Sequence, residues 1–210
     1  MTPAGLNGEG PKVEYYVAAR PLAGQDVSGD AYAVVEFDGG VLVRVIDGLG
    51  HGQEAAKAAR TATDFIGRNA SEPLLELTQR CHEALKSTRG IVASFARFDA
   101  LANSMSWLGV GNVEALLFQR NQEGEVKRTG LAPRGGVIGY TLSPLHCSDV
   151  DVNPGDLLVM ATDGLAGAFI DSIDAQAGLE EMVEGLMTEH GKSSDDALIL
   201  AARYLGGRAR

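Results

Sequence analysis

The sequence lacks several features that define common protein classes. Its two cysteines, Cys81 and Cys147, are too few for a disulfide framework and favour reduced thiols. No apolar run approaches the ~20 residues that a membrane helix needs, and residues 1–12 do not resemble a signal peptide. Basic residues are outnumbered, with 18 Lys and Arg against 28 Asp and Glu and a formal net charge of −10. We therefore expect a cytoplasmic protein with no membrane partner and no nucleic-acid partner.

The composition is otherwise that of a globular protein. Of the 210 residues, 45% are hydrophobic and 22% are charged, which is enough for a sizeable core. Neither a linker nor a repeat of fixed period is visible. Residues 1–11 are small and polar, so we expect a flexible N-terminal arm followed by a single domain over residues 12–206. The absence of heptads or a long apolar stripe favours a monomer.

The first half of the chain predicts three strands followed by two helices. Strand patterns occupy residues 12–22, 31–37 and 41–46, and Asp38-Gly39-Gly40 gives the second and third the turn of a β-hairpin. Apolar residues at helical spacing predict a helix over residues 53–69. A second helix, with Ser71 as its N-cap and Pro73 in its first turn, is expected to run to about Leu85.

The second half is mainly β. The predicted strands are residues 91–98, 104–110, 113–119, 126–128, 146–152 and 157–161. A helix is expected over 175–189, and the run 197–205 favours a strand over a helix. Because strands and helices are segregated, the order predicts an α+β fold with two mostly antiparallel sheets. These would pack as a central β-sandwich flanked by α-helices.

The stretch VLVRVIDGLGHG at residues 41–52 is the most informative. An apolar strand runs into Asp47, three glycines follow within five residues, and a helix begins directly after them. Glycines at such a site allow a ligand to approach the backbone closely. Asp38-Gly39 lies between two strands that should pair, so it is interpreted as a turn. Asp47-Gly48 has no such partner strand, which favours a functional role.

Other acidic residues stand at predicted strand ends in the same way. Asp163-Gly164 follows an apolar strand, Asp195-Asp196 precedes the last one, and Asp30 begins the first hairpin. Each alone is typical of a solvated turn. Together they indicate oxygen ligands for hard divalent cations, because crowded carboxylates repel each other without one. The spacing is thus compatible with a two-metal hydrolase.

The glycine loop has an alternative interpretation. The glycines could instead hold a phosphate at a helix N-terminus, but they match neither the GxGxxG fingerprint nor the P-loop. His51, within the glycine loop, is the one histidine with a candidate functional role. Trp107 is interpreted as a core residue, and no motif suggests a covalent nucleophile.

Taken together, the motifs resemble a known family. SGD at 28–30, DGLGHG at 47–52, ATDGL at 161–165 and SSDDALIL at 193–200 occur in the order of the type 2C metal-dependent serine/threonine phosphatases. The form DGxGHG is similar to the bacterial SpoIIE-like branch, and the resemblance covers residues 12–205. The compact length, without a sensor or receiver domain, resembles the stand-alone phosphatases of the bacterial stressosome.

The resemblance implies a binuclear Mn²⁺ or Mg²⁺ centre at one end of the sandwich. By motif, Asp47 would bridge both ions, and the Gly48 carbonyl would bind the second. Asp163 and Asp195 would hold the first ion, and Asp30 would act mainly through a bound water. A metal-activated water would then attack phosphorus in line, without a phosphoenzyme.

The sequence departs from the family pattern at several positions. Leu49 stands where eukaryotic members have a His proposed as general acid, and His51 lies two residues further on. Gln25 stands where those members have a phosphate-binding Arg, with Arg20 as a candidate substitute. Asp196 occupies a position that the family fills with Asn or Asp, and it is a lesser ligand candidate.

The resemblance implies a phosphatase acting on phosphoserine or phosphothreonine. The expected substrate is a phosphorylated STAS-domain protein, either a stressosome scaffold or an anti-sigma-factor antagonist, in a stress-signalling pathway. The alternatives are a catalytically silent phosphoprotein-binding module of the same fold and a hydrolase of small phosphoesters. Loss of a ligand carboxylate would favour the binding module, and all four expected acids are present.

Overall fold

Two five-stranded antiparallel sheets face each other at the centre of the molecule. The computed structural model describes residues 12–121 and 123–207, and the predicted arm at 1–11 lies outside this range. The strands are β1 (Val13–Arg20), β2 (Asp30–Phe37), β3 (Gly40–Gly48), β4 (Ile91–Asp99), β5 (Ser104–Val110), β6 (Glu114–Arg120), β7 (Val126–Gly130), β8 (Gly136–Val137), β9 (Thr141–Leu142), β10 (Ser148–Asp151), β11 (Leu157–Ala161) and β12 (Ala197–Tyr204). The helices are α1 (Gln53–Arg68), α2 (Leu74–Leu85) and α3 (Leu179–His190), with a short 3₁₀ helix at Gly167–Ser172.

The first sheet has the order β1-β12-β11-β6-β7, and the second has the order β10-β5-β4-β3-β2. Strands β8 and β9 form a separate small hairpin. Helices α1 and α2 cover the outer face of the second sheet, and α3 covers the outer face of the first. The predicted α+β sandwich with flanking helices is confirmed.

Strand β3 is apolar on both faces because both faces are covered by other elements. Val43 and Val45 point into the core between the sheets, whereas Leu42 and Ile46 pack against the helices. All four side chains are fully buried. A strand covered on both faces has no polar alternation. The last residues of β3, Asp47 and Gly48, therefore follow a rigid and buried segment.

The structure differs from the sequence-based expectation at three elements. Helix α3 begins at Leu179 rather than at residue 175, because the segment before it forms a turn in which Asp174 accepts the N–H groups of Gln176 and Ala177. Helix α2 begins at Leu74 with Pro73 in the N-cap position, and no side chain caps it, so the prediction for Ser71 was wrong. The β8–β9 hairpin was not anticipated. The final run is a strand, as predicted, and it lies between β1 and β11 in its sheet.

None of the helices within residues 12–121 and 123–207 has both the length and the apolar character that spanning a membrane requires.

Candidate active site

The acidic motifs meet at one end of the sandwich. Asp30 at the start of β2 lies directly opposite Asp47 at the end of β3 in the antiparallel register. In the other sheet, Asp163 follows β11 and Asp195 precedes β12, and these two strands are paired neighbours. Residues more than 160 positions apart in the chain are thus carried to one edge by strands of both sheets.

A cavity of about 510 Å³ opens at this edge. Three of the predicted ligands, Asp47, Asp163 and Asp195, line it together. Asp30 and Gly48 are not part of the lining, and they stand beside Asp47 instead. The other lining residues are Leu49, Gly50, His51, Val92, Gly111, Asn112, Val137 and Ser194.

Burial and crowding make ionisation of the inner carboxyls unfavourable. Burial first, and then the neighbouring Asp30 and Asp163, raise the pKa of Asp47 from 3.8 to about 8. The pKa of Asp30 is raised to about 7, again first by burial and then by nearby carboxylates. A hydrogen bond from Thr162 partly offsets that shift. Without a cation, full ionisation of the clustered carboxyls is therefore unfavourable, because their negative charges repel one another.

The glycines of the motifs allow backbone segments to pack against one another. A Cβ on Gly48 would collide with the Ala55 carbonyl oxygen in the first turn of α1. The Gly48 N–H donates to the Gly29 carbonyl at 3.0 Å, which joins the SGD segment to the strand end. A Cβ on Gly164 would likewise collide with the Asp196 carbonyl oxygen. Only glycine fits at these two contacts.

Two neighbours of the carboxylates were not singled out from the sequence. The Asn112 side-chain amide donates to Asp163 Oδ2 at 2.7 Å and also lines the cavity. The Thr162 hydroxyl donates to Asp30 Oδ2 at 2.7 Å and accepts the Leu198 N–H at 3.0 Å. Thr162 precedes Asp163 in its motif and so could have been noticed. Asn112 follows a turn glycine and carries no comparable signal.

The two acids of the DD pair have different surroundings. Asp195 faces the cavity, whereas Asp196 is only 4% exposed. Asp196 Oδ1 accepts the Leu22 N–H and its Oδ2 accepts the Gly29 N–H, each at 2.7 Å. Both carboxylate oxygens are therefore directed at the backbone of the loop between β1 and β2.

The remaining candidates occupy separate places. His51 and Leu49 both line the cavity. Gln25 lies against Gly52, with its Oε1 3.2 Å from the position of a Cβ there. Arg20 packs beside Gly191 at the end of α3, and its Nη2 lies 2.9 Å from the position that a Cβ on Gly191 would occupy. Trp107 belongs to the core between the sheets, in agreement with its interpretation from the sequence.

The donor set fits a hard divalent cation in its chemistry. Three carboxylates share one cavity, and two of the clustered carboxyls have a raised pKa, as expected for groups in need of positive charge. Among the described residues, no three His, Cys, Asp or Glu side chains already surround a single ion position. One oxygen of Asp163 and one of Asp30 are turned instead to Asn112 and Thr162.

The chain and its fold match a known protein family. The family model for stage II sporulation protein E (SpoIIE) matches residues 38–205, so the chain belongs to the SpoIIE family. The predicted class, a serine/threonine phosphatase of the SpoIIE-like branch, is confirmed by this match and the relatives below.

Individual relatives cover most of the chain. The phosphoserine phosphatase RsbX of Bacillus subtilis (strain 168) is 25% identical over 142 residues, which are 68% of this chain and 69% of RsbX. A solved structure reported under the subject of the bacterial stressosome, as a modular system adapted to control secondary messenger signalling, has a TM-score of 0.81 and 28% identity. The match covers 92% of this chain and 100% of that one. RsbX in complex with magnesium also has a TM-score of 0.81, with 22% identity, covering 94% and 98%.

Proposed function

We propose that this protein is a divalent-metal-dependent phosphatase that hydrolyses phosphoserine or phosphothreonine in a STAS-domain protein of a stressosome pathway. The observation that carries the proposal is the convergence of Asp47, Asp163 and Asp195 on one cavity at the end of the sandwich. The similarity to RsbX, a phosphoserine phosphatase, supports the substrate class. The similarity to a stressosome structure at 28% identity supports the partner.

The residues available to hold Mn²⁺ or Mg²⁺ are those of the acidic edge. Asp47, Asp163 and Asp195 would provide carboxylate ligands, the Gly48 carbonyl a backbone ligand, and Asp30 an outer position. The match to a magnesium complex of RsbX supports divalent metal dependence. Two such ions would supply positive charge for the phosphoryl oxygens and lower the pKa of a water to near neutrality.

The chain itself supplies orientation. Asn112 holds Asp163 through a 2.7 Å hydrogen bond, and Thr162 holds Asp30 through another. Asp196 fixes the loop that leads into Asp30 by accepting two backbone N–H groups. Carboxylates restrained in this way are preorganised to bind a metal ion, which reduces the reorganisation needed during the reaction.

The first test is hydrolysis of p-nitrophenyl phosphate in EDTA, in Mg²⁺ and in Mn²⁺. We expect activity only with metal, and its loss in Asp163→Asn. Asp149→Asn is the matched control, because Asp149 lies in edge strand β10 and is hydrogen-bonded to Ser106 rather than facing the cavity. Equal activity in EDTA and in metal would contradict the proposal.

The second test addresses the partner. Phosphorylated STAS-domain scaffold and phosphorylated anti-sigma-factor antagonist are offered separately, and phosphate release is measured for each. Release from the scaffold with metal, and its loss in Asp163→Asn, is the expected result. A folded protein that binds the phosphoproteins but releases no phosphate from any substrate would instead establish a binding module.

A further inference from the structure

An arginine outside the acidic motifs overlies the glycine loop of the site. Arg89, between α2 and β4, is exposed, and its Nη1 lies 2.8 Å from the point where a Cβ on Gly50 would stand. Gly50 lines the cavity together with Asp47. The guanidinium therefore lies against the DGLGHG loop, beside a residue that lines the cavity.

The segment that carries Arg89 is held rigidly by its neighbours. The Thr88 hydroxyl donates to the Leu85 carbonyl at 2.8 Å and accepts the Gly90 N–H at 3.0 Å. The Gly90 carbonyl accepts the Leu49 N–H at 3.2 Å, which ties this turn to the glycine loop. A cation placed on such a turn loses less conformational entropy when it binds a ligand than one on a free loop.

Arg89 is also electrostatically available. Elsewhere, Arg80 is paired with Glu72, and Arg128 with Asp171. Within residues 12–121 and 123–207, no carboxylate forms such a pair with Arg89. The cavity beside it is lined by three Asp residues and no Lys or Arg, in a chain of net charge −10. An incoming phosphate dianion would be repelled unless cations offset that charge at the entrance.

We propose that Arg89 binds the phosphoryl group of the substrate at the mouth of the cavity. The planar guanidinium presents several N–H donors that match two phosphate oxygens at once, which an ammonium group cannot do. This assignment rests on the proposed phosphatase function. It makes Arg89 a substrate-binding residue that acts beside the metal ligands rather than on them.

The test compares Arg89→Ala, Arg89→Lys and Arg120→Ala with the unaltered protein. Arg120 is an exposed arginine at the end of β6. Its replacement by alanine removes one positive charge, as Arg89→Ala does, and leaves the cavity lining intact. The readouts are KM and kcat for p-nitrophenyl phosphate, and the inhibition constant of inorganic phosphate. Mg²⁺ binding is measured separately by calorimetry.

We expect Arg89→Ala to raise both KM and the phosphate inhibition constant by about 10- to 100-fold, the usual value of hydrogen bonds to a charged group. Arg89→Lys should recover part of the loss, and Arg120→Ala should change neither constant. Mg²⁺ affinity should stay the same in all three variants.

Two results would overturn the assignment. Unchanged KM and phosphate inhibition in Arg89→Ala would show that the guanidinium does not contact the phosphoryl group. An equal effect of Arg120→Ala would show that only the overall charge matters. Failure of the phosphatase function itself is distinguishable, since the unaltered protein would then be inactive with every metal.

Discussion

Strand β3 has an Asp-Gly pair at each end, and the two pairs have different surroundings. Asp38-Gly39, which precedes the strand, forms the turn of the β2–β3 hairpin. Asp38 is exposed, and Gly39 has a φ of +82° and accepts the Ala100 N–H through its carbonyl. Asp47-Gly48, which ends the strand, is enclosed by α1 and by loops of the other sheet. An identical dipeptide therefore forms a turn at one end of the strand and contributes Asp47 to the cavity lining at the other.

Two buried carboxylates extend the contrast between the two ends. Asp156, 2% exposed, accepts the Asn153 N–H at 2.9 Å and holds the turn before β11 at the end remote from the cavity. Asp196, 4% exposed, accepts two backbone N–H groups at the cavity end. Both residues restrain a loop, but only the loop held by Asp196 leads into the acidic cluster. The role of a buried carboxylate thus depends on which residues of other elements lie at the same end of the sandwich.

Replacing the aspartate of each Asp-Gly pair should give the largest difference in phosphatase activity between the two ends of β3. Asp47→Asn is expected to lower metal-dependent phosphatase activity by at least about 100-fold, since even indirect partners of metal ligands are worth 10- to 100-fold. Asp38→Asn should stay within about twofold of the unaltered protein, as surface turn residues generally do. Rates with p-nitrophenyl phosphate in Mn²⁺ measure both. Comparable losses in the two variants would contradict the contrast.

Alanine at the two glycines should separate stability from activity. In Gly48→Ala the new methyl group meets the Ala55 carbonyl, so we expect a loss of about 1–3 kcal/mol in unfolding free energy. Gly39→Ala meets only Leu101 at 3.8 Å, but the positive φ should cost about 1–2 kcal/mol. Urea unfolding measures both costs. Only Gly48→Ala should also reduce activity, by about tenfold or more, in the range of other disturbed ligand geometry.

The two buried carboxylates provide a matched pair. Asp156→Ala and Asp196→Ala each leave partly or fully buried backbone N–H groups without their acceptors, so each should lose on the order of 2 kcal/mol of stability. Activity at a temperature where both variants are folded should fall only in Asp196→Ala. A variant of Asp196 with full activity would show that its loop does not influence Asp30.

A further expected effect is a pH dependence of the unfolding free energy in EDTA. The folded pKa values of Asp30 and Asp47, about 7 and about 8, lie above the ordinary 3.8. Between about pH 4 and pH 8 the folded protein therefore binds more protons than the unfolded chain, and its unfolding free energy falls as pH rises. Urea unfolding at several pH values should show this slope, reduced in Asp47→Asn and unchanged in Asp38→Asn. An equal slope in all three would rule out the acidic edge as its source.

Most of the strands and helices followed from local pattern, because their apolar periodicity is strong. The exceptions have short-range causes that pattern does not reveal. Asp174 accepts the N–H groups of Gln176 and Ala177 in a turn, so α3 starts later than its periodicity suggests. The β8–β9 strands have two residues each, which is too short for any periodicity. The start of α2 was misplaced because Ser71 has the right side chain but the helix begins after Pro73.

The sequence by itself determined the class of fold, the family and the set of acidic motifs. Apolar periodicity fixes strands and helices locally, and four Asp-containing motifs in a set order are specific to a family. Only the tertiary structure decided which groups meet. It separated Asp195 from Asp196, added Asn112 and Thr162 to the site, and brought Arg89 over the glycine loop. Contacts between residues far apart in the chain depend on strand pairing and loop packing, and neither is recorded in local sequence.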